Sequence, residues 1–171
     1  AEVFFTISDQ SCSNPYLDKD ILHTPGIDNH MGLTIRMIWL MYYLKDIEFS
    51  HVATIDDDCY VNVPLFMTLP WRESKLYGHN NGGYLAGCCT VWSKEATAAY
   101  FPTMSFDDVS YSALLRHKGI PFTPCDKGVI KPWLDQETKY KIKEGTAVQH
   151  YCRTAEQIIE NHDIITKQSG P

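Results

Sequence analysis

The chain has 171 residues, 44% hydrophobic and 21% charged, which is the composition of an ordinary globular domain and enough length for one real core. A formal net charge of −6, with no cluster of Lys or Arg, argues against a nucleic-acid partner bound through counterion release. No run approaches the roughly 18 to 20 apolar residues that span a bilayer, and the sequence opens on a strand-like segment rather than on a signal peptide.

In chain order, Val3-Phe4-Phe5-Thr6-Ile7 reads as a first strand. Ser8 to His30 is rich in Ser, Asp, Asn, Pro and Gly and reads as a long loop, a length that usually signals a functional edge. Leu33, Arg36, Met37, Leu40, Met41 and Leu44 recur at helical spacing and predict a largely buried helix packed beside the next strand. That strand is His51-Val52-Ala53-Thr54-Ile55, expected to be buried, and Asp56-Asp57-Asp58 emerge at its carboxyl end.

Further along, Pro64 to Leu69 predicts a short helix or turn closed by Pro70 and Trp71. Lys75 to Gly78 and Tyr84 to Trp92 predict strands separated by the polar, Gly-rich His79-Asn80-Asn81-Gly82-Gly83. Ser93 caps a helix to about Tyr100, and Asp107 or Asp108 caps another that ends at Gly119. Strands follow at Pro121 to Thr123 and Thr146 to Tyr151, and Thr154-Ala155-Glu156-Gln157 opens a last helix with a capping box. The interleaving predicts one α/β domain with a mostly parallel sheet flanked by helices. The six cysteines (Cys12, Cys59, Cys88, Cys89, Cys125 and Cys152) lack CxxC pairs, so they form neither a recognisable zinc motif nor a disulfide framework and read as reduced thiols of an intracellular protein. Cys59, Cys88 and Cys89 are expected to act as small hydrophobes.

The acidic triplet carries the chemistry. A run of three acids is often only a solvated turn, but here an apolar strand delivers it and Tyr60-Val61 follows at once. Three like charges at this spacing call for a positive partner, and hard oxygen ligands select Mg²⁺ or Mn²⁺, ions that keep positions open for water or phosphate. An EF-hand is disfavoured, because its glycine and terminal glutamate are missing. Asp107 and Asp108 cannot both cap the helix they precede, so one is available as a general base. His150 ends a short apolar strand, where it is either a hydrogen-bonded structural residue or a ligand that would favour Mn²⁺. Gly87 permits close backbone approach to a ligand, or marks a bulge. Arg36 either faces the acids or a diphosphate, or lies at the surface with its stem buried.

Taken in order, Leu33-Thr34-Ile35-Arg36, Ile55-Asp56-Asp57-Asp58-Cys59-Tyr60-Val61-Asn62, Tyr84-Leu85-Ala86-Gly87, Asp107-Asp108-Val109, Gly119-Ile120 and His150 resemble the fringe and beta-3-galactosyltransferase group of metal-dependent glycosyltransferases. The DDDxYVN block is the specific part, and the order of the rest extends the likeness over most of the chain. The resemblance implies a single GT-A (Rossmann-like) domain over 1–171, with a nucleotide-binding part at about 1–62 and an acceptor-binding part at about 63–171. It implies an inverting transfer from a nucleotide diphosphate sugar, UDP by analogy, to a hydroxyl of a glycan or glycoprotein. Asp58 would be the direct metal ligand and His150 the third member of the metal site, with Asp56 nearer the ribose or the metal's waters. Asp57 completes the DxD element, Asp108 would be the base, and Asp107 would cap or orient. Arg36 would lie near the diphosphate, Gly87 beside the donor, and Thr6, at the end of the first strand, near the nucleobase.

The chain departs from the group in being short, in lacking a membrane anchor and stem, and in having Gly87-Cys88-Cys89 where a run of glycines is frequent. The missing anchor reads as a cytoplasmic enzyme of microbial or viral type, or as a Golgi-lumen enzyme trimmed from a longer chain. Two rivals remain at this stage: a non-catalytic cation- or sugar-binding module, and a two-metal phosphohydrolase or nucleotidyltransferase, which needs ions about 3.5 to 4 Å apart.

Overall fold

A computed structural model describes residues 4–27, 32–100, 108–126, 128–133 and 140–168, with the side chains of 108–110 outside the description. Over these residues the chain is a mixed α/β protein with five α-helices and three small mixed sheets. No helix among the described residues is long and apolar enough to cross a membrane.

The first sheet has the order β1-β3-β2. β1 (Phe5–Asp9) runs parallel to β3 (Ile21–Pro25), and β2 (Tyr16–Asp18) pairs antiparallel with β3. The segment expected to be loop therefore contains a hairpin. Its turn is Lys19-Asp20, with Lys19 in the left-handed region at φ 56°. Lysine at that position is not a turn signal, so the polar composition masked two short strands. Leu22 and Thr24 alternate inward on β3 and are fully buried beneath α1 (Gly32–Leu44).

α1 forms where its spacing predicts, and Leu40, Met41 and Leu44 enter the core. Its main partners are β3, β1 and α3 (Lys94–Tyr100), with Val52 of the acidic strand against the same core cluster, and Leu33 is 45% exposed.

The second sheet, of order β4-β7-β6-β8, is built from β4 (His51–Ile55), β6 (Leu76–Asn80), β7 (Leu85–Ser93) and β8 (Phe122–Pro124). β7 is buried along almost its whole length and runs antiparallel to both neighbours. This corrects the expected mostly parallel sheet: of the seven pairings among the described residues, four are antiparallel. The cause is local. Gly82 and Gly83 take φ 66° and 106° and turn β6 straight into β7, and a turn this short joins only antiparallel strands. β4, expected to be buried, is an edge strand whose Ala53 and Ile55 face outward.

The third sheet is very small. β5 (Tyr60–Val61) pairs antiparallel with β10 (Val148–Gln149), which pairs parallel with β9 (Ile130–Lys131). α2 (Val63–Thr68) follows β5, capped by the Asn62 side chain, and a 3₁₀ turn at Pro70–Glu73 ends the segment as expected.

α3 starts where Ser93 Oγ accepts from the Ala96 N–H, which bears out its predicted cap. α4 (Asp108–His117) ends before Gly119, whose φ of 76° makes the C-terminal turn. The predicted cap at Asp107 or Asp108 lies outside the described side chains. α5 (Ala155–Gln168) opens on the predicted capping box: the Gln157 N–H donates to Thr154 Oγ1 at 3.3 Å and the Thr154 N–H to Gln157 Oε1 at 3.2 Å. All six cysteines are free, and Cys88 and Cys89 are buried as small hydrophobes.

Asn161 of α5 is fully buried and makes three hydrogen bonds. Its Oδ1 accepts from the Ile142 N–H, and its Nδ2 donates to the Tyr140 carbonyl and to Cys152 Sγ. Asn161→Ala is expected to destabilise the fold by about 2 to 3 kcal/mol, since the buried Ile142 N–H and the partly buried Tyr140 carbonyl lose their partner. Urea unfolding followed by tryptophan fluorescence checks this value.

Candidate metal centre

The acidic turn is held by backbone bonds on both sides. The Asp56 N–H donates to the Cys88 carbonyl of β7 at 3.0 Å, and the Cys59 N–H closes the turn on the Asp56 carbonyl at 3.1 Å. From the other side, the Cys152 N–H donates to the Asp58 carbonyl at 2.7 Å. The β5–β10 register pairs Tyr60 with Gln149, which brings Asp58 and His150 together although 92 positions of sequence separate them (150 − 58).

His150 Nε2 lies 2.8 Å from Asp58 Oδ1 and 3.6 Å from Asp56 Oδ2. Its other nitrogen, Nδ1, donates to the Pro132 carbonyl at 2.8 Å, which fixes the ring. With Nδ1 protonated, a neutral ring would turn its Nε2 lone pair onto a carboxylate. Nε2 is the ring nitrogen that faces the two acids. Arg153 Nε lies 3.8 Å from Asp58 Oδ2 and adds positive charge beside the acids.

The donor set fits a divalent cation. Two carboxylates and an imidazole oriented by a backbone carbonyl are chemically able to hold such an ion. Cys59 Sγ is also near: its sulfur, an Asp58 oxygen and a His150 nitrogen all lie within 4.8 Å of one another. Its thiol donates to the Cys88 carbonyl at 3.5 Å, and that bond together with burial pushes the thiol far up, keeping it protonated. Asp57 is exposed on the same turn.

Tyr151 supports the imidazole in an unusual way. Its ring stacks on His150 at 4.0 Å and 28°, and the Arg153 guanidinium sits 4.9 Å from the same ring's centroid. To do so, Tyr151 takes φ 66°, a left-handed conformation that a bulky residue adopts only under constraint. Neither Tyr151 nor Arg153 stands out in the sequence, and the one available signal was their adjacency to His150.

The other predicted residues fall in three places. Gly87 lies on β7 next to Cys88, directly beside the acidic turn. Asp108 opens α4, with its side chain outside the described residues, and Asp107 lies outside them altogether. The body of α4 is clamped to β7, because Ser112 Oγ accepts from the Leu85 N–H at 3.1 Å and the Tyr111 hydroxyl donates to the Leu85 carbonyl at 3.2 Å. Leu85 is three residues along the strand from Cys88, about 10 Å, so α4 is anchored close to the acidic rim.

Thr6 belongs to the first sheet, and Arg36 to α1, the helix packed on it. Thr6 sits within β1 opposite Leu22, not at its end, because the strand continues to Asp9. Arg36 meets that end: its Nε and Nη2 donate to Ser8 Oγ at 3.2 and 3.1 Å. Beside it, Asp9 accepts from the Ser11 hydroxyl at 2.6 Å, the Ser11 N–H at 2.8 Å and the Tyr16 hydroxyl at 3.3 Å, with His23 Nδ1 at 3.0 Å.

These bonds, those from Ser11 first, hold the Asp9 carboxyl down at about 2 against an ordinary 3.8. The folded state thus binds fewer protons than the unfolded chain between those values. The stabilisation is fully present above 3.8 and is lost as the pH falls towards 2. Asp9→Asn is expected to flatten the acid limb of the stability curve over that interval, as read from urea midpoints at a series of pH values. No known protein-family model matches the chain, and no curated protein matches it.

Proposed function

We propose that the chain is a metal-dependent, inverting glycosyltransferase of the GT-A type, moving a sugar from a nucleotide diphosphate sugar, UDP by preference, to a hydroxyl of a glycan or glycoprotein. The observation that carries this reading is the meeting of Asp56, Asp58 and His150 at one sheet rim.

Asp58 and His150 would hold the cation directly, with Asp56 as the outer carboxylate. When bound, Mn²⁺, or Mg²⁺ in its place, offsets negative charge on a leaving diphosphate. Pro132 keeps His150 in the tautomer that offers Nε2, and the Tyr151 ring restrains the imidazole's tilt. Asp57, exposed on the turn, is available to the nucleotide's ribose. Gly87 places no side chain between the β7 strand and the acidic turn, which suits a close approach of the donor.

Asp108 is the proposed base. Its carboxylate takes the proton of the acceptor hydroxyl as that oxygen bonds to the anomeric carbon and the bond to the diphosphate breaks, which inverts the configuration. Asp107 would orient the base or cap α4. Support comes from the clamp of Tyr111 and Ser112 on Leu85, which ties α4 to the strand that also holds the acidic turn. Thr6 lies on β1 and Arg36, from α1, reaches the carboxyl end of that strand at Ser8, the proposed surface for the rest of the nucleotide.

Calorimetric titration of UDP is expected to show binding in the presence of Mn²⁺ and none without it. Asp58→Asn should weaken the metal-dependent binding by about tenfold or more. Asp108→Asn should keep donor binding and lose transfer by about 10²- to 10⁴-fold, the usual contribution of a general base. UDP binding that ignores the metal, or unaltered transfer by Asp108→Asn, would refute the reading. A panel of nucleotide sugars, screened for hydrolysis, identifies the donor.

A further inference from the structure

We infer that the acidic rim is also a binding site for a thiophilic divalent cation of the Zn²⁺ class, held by Asp58, Cys59 and His150. Their ligand atoms already lie within 4.8 Å of one another, and all three residues are partly buried. Tetrahedral Zn²⁺, with bonds of about 2.0 to 2.3 Å, sets its ligands roughly 3.3 to 3.8 Å apart. The Asp58–His150 pair, now at 2.8 Å, has to open by about half an ångström, and the sulfur has to approach by at most about 1 Å.

The cost is the proton that the Cys88 carbonyl and burial hold on the Cys59 thiol, which the metal has to displace. Cys59 Sγ makes only a 3.5 Å bond to the Cys88 carbonyl, while the Pro132 carbonyl already orients His150 with Nε2 turned to the acids. On binding, the thiol proton leaves to the buffer, a sulfur–metal bond forms, and no group changes oxidation state.

One rim thus carries two ligand sets. Hard cations such as Mn²⁺ and Mg²⁺ prefer the carboxylates and leave the thiol with its proton, whereas Zn²⁺ recruits it. Because both sets use Asp58 and His150, the two classes of cation exclude one another. A zinc ion with three protein ligands leaves a single position, too few for a bridged diphosphate and its waters. If the rim performs the transfer proposed above, zinc inhibits it. The zinc site itself rests on the geometry alone and needs no nucleotide.

The test uses the reduced, nucleotide-free chain. X-ray absorption at the zinc edge is expected to show one sulfur at about 2.3 Å among nitrogen and oxygen ligands. Co²⁺ should produce a near-ultraviolet thiolate charge-transfer band that Cys59→Ser lacks, and that variant should bind Zn²⁺ about tenfold or more weakly. Zinc should also protect Cys59 of the unmodified protein from alkylation, mapped by mass spectrometry, which locates the sulfur without any variant. A first shell of nitrogen and oxygen only, or a thiolate band that survives in Cys59→Ser, overturns the inference. Sulfur ligation without UDP binding, and Mn²⁺-dependent UDP binding without sulfur ligation, are separate results, so each reading can fail alone.

Discussion

The candidate centre depends on two residue pairs of antiparallel sheet, Val148 with Val61 and Gln149 with Tyr60. Closing so long a loop costs chain entropy, and two ladder pairs alone would not offset it. Burial does most of that work: Val148, Ile130 and Ala147 are fully buried in a cluster with Tyr77, Val91 and Cys89 of the larger sheet. Asn161 then ties α5 to Cys152, and Cys152 ties the same strand to the acidic turn. The position of His150 is thus set by hydrophobic packing on one side and by a buried amide network on the other.

Electrostatics explains why the turn needs this scaffolding. Three neighbouring carboxylates would repel each other and splay into water if nothing restrained their backbone. Here the backbone is pinned at Asp56 and Asp58, and the side chains meet an imidazole and, more distantly, a guanidinium. The left-handed Tyr151 belongs to the same arrangement. It lets the chain turn sharply after His150, so that the ring stacks on the imidazole and Cys152 still reaches Asp58. A non-glycine residue in that conformation is strain maintained by its surroundings, and it sits at the proposed site.

The larger sheet carries the other half of the design. β7 is its centre: β4 lies on one side, and the Leu85 end is clamped by α4. A hydroxyl network runs through this region, from Trp92 Nε1 to Thr54, from Thr54 to the Thr90 carbonyl, and from Thr90 to Tyr111. It couples the strand that delivers the acids to the helix that starts with Asp108. Buried, fully satisfied networks of this kind rigidify a core, which suits a rim where a cation, a base and two substrates would have to meet.

The amino-acid sequence alone determined the elements whose signals are local. The periodicity from Leu33 to Leu44, the apolar run from His51 to Ile55, the cap at Ser93 and the Thr154–Gln157 capping box are all read within a few residues, and all form. The candidacy of Asp56, Asp58 and His150 was legible for the same reason, through residue type and the strand ends they occupy. The tertiary structure alone decided who meets whom. The hairpin at Lys19-Asp20 has no turn signature, the two-residue strands β5, β9 and β10 exist only through each other, and the glycine turn between β6 and β7 set the sheet antiparallel. Cys59, a hydrophobe by its neighbours in sequence, joined His150 and Asp58 because a long-range pairing put them there. Such pairings arise from burial summed over distant segments, a quantity that no short window of sequence contains.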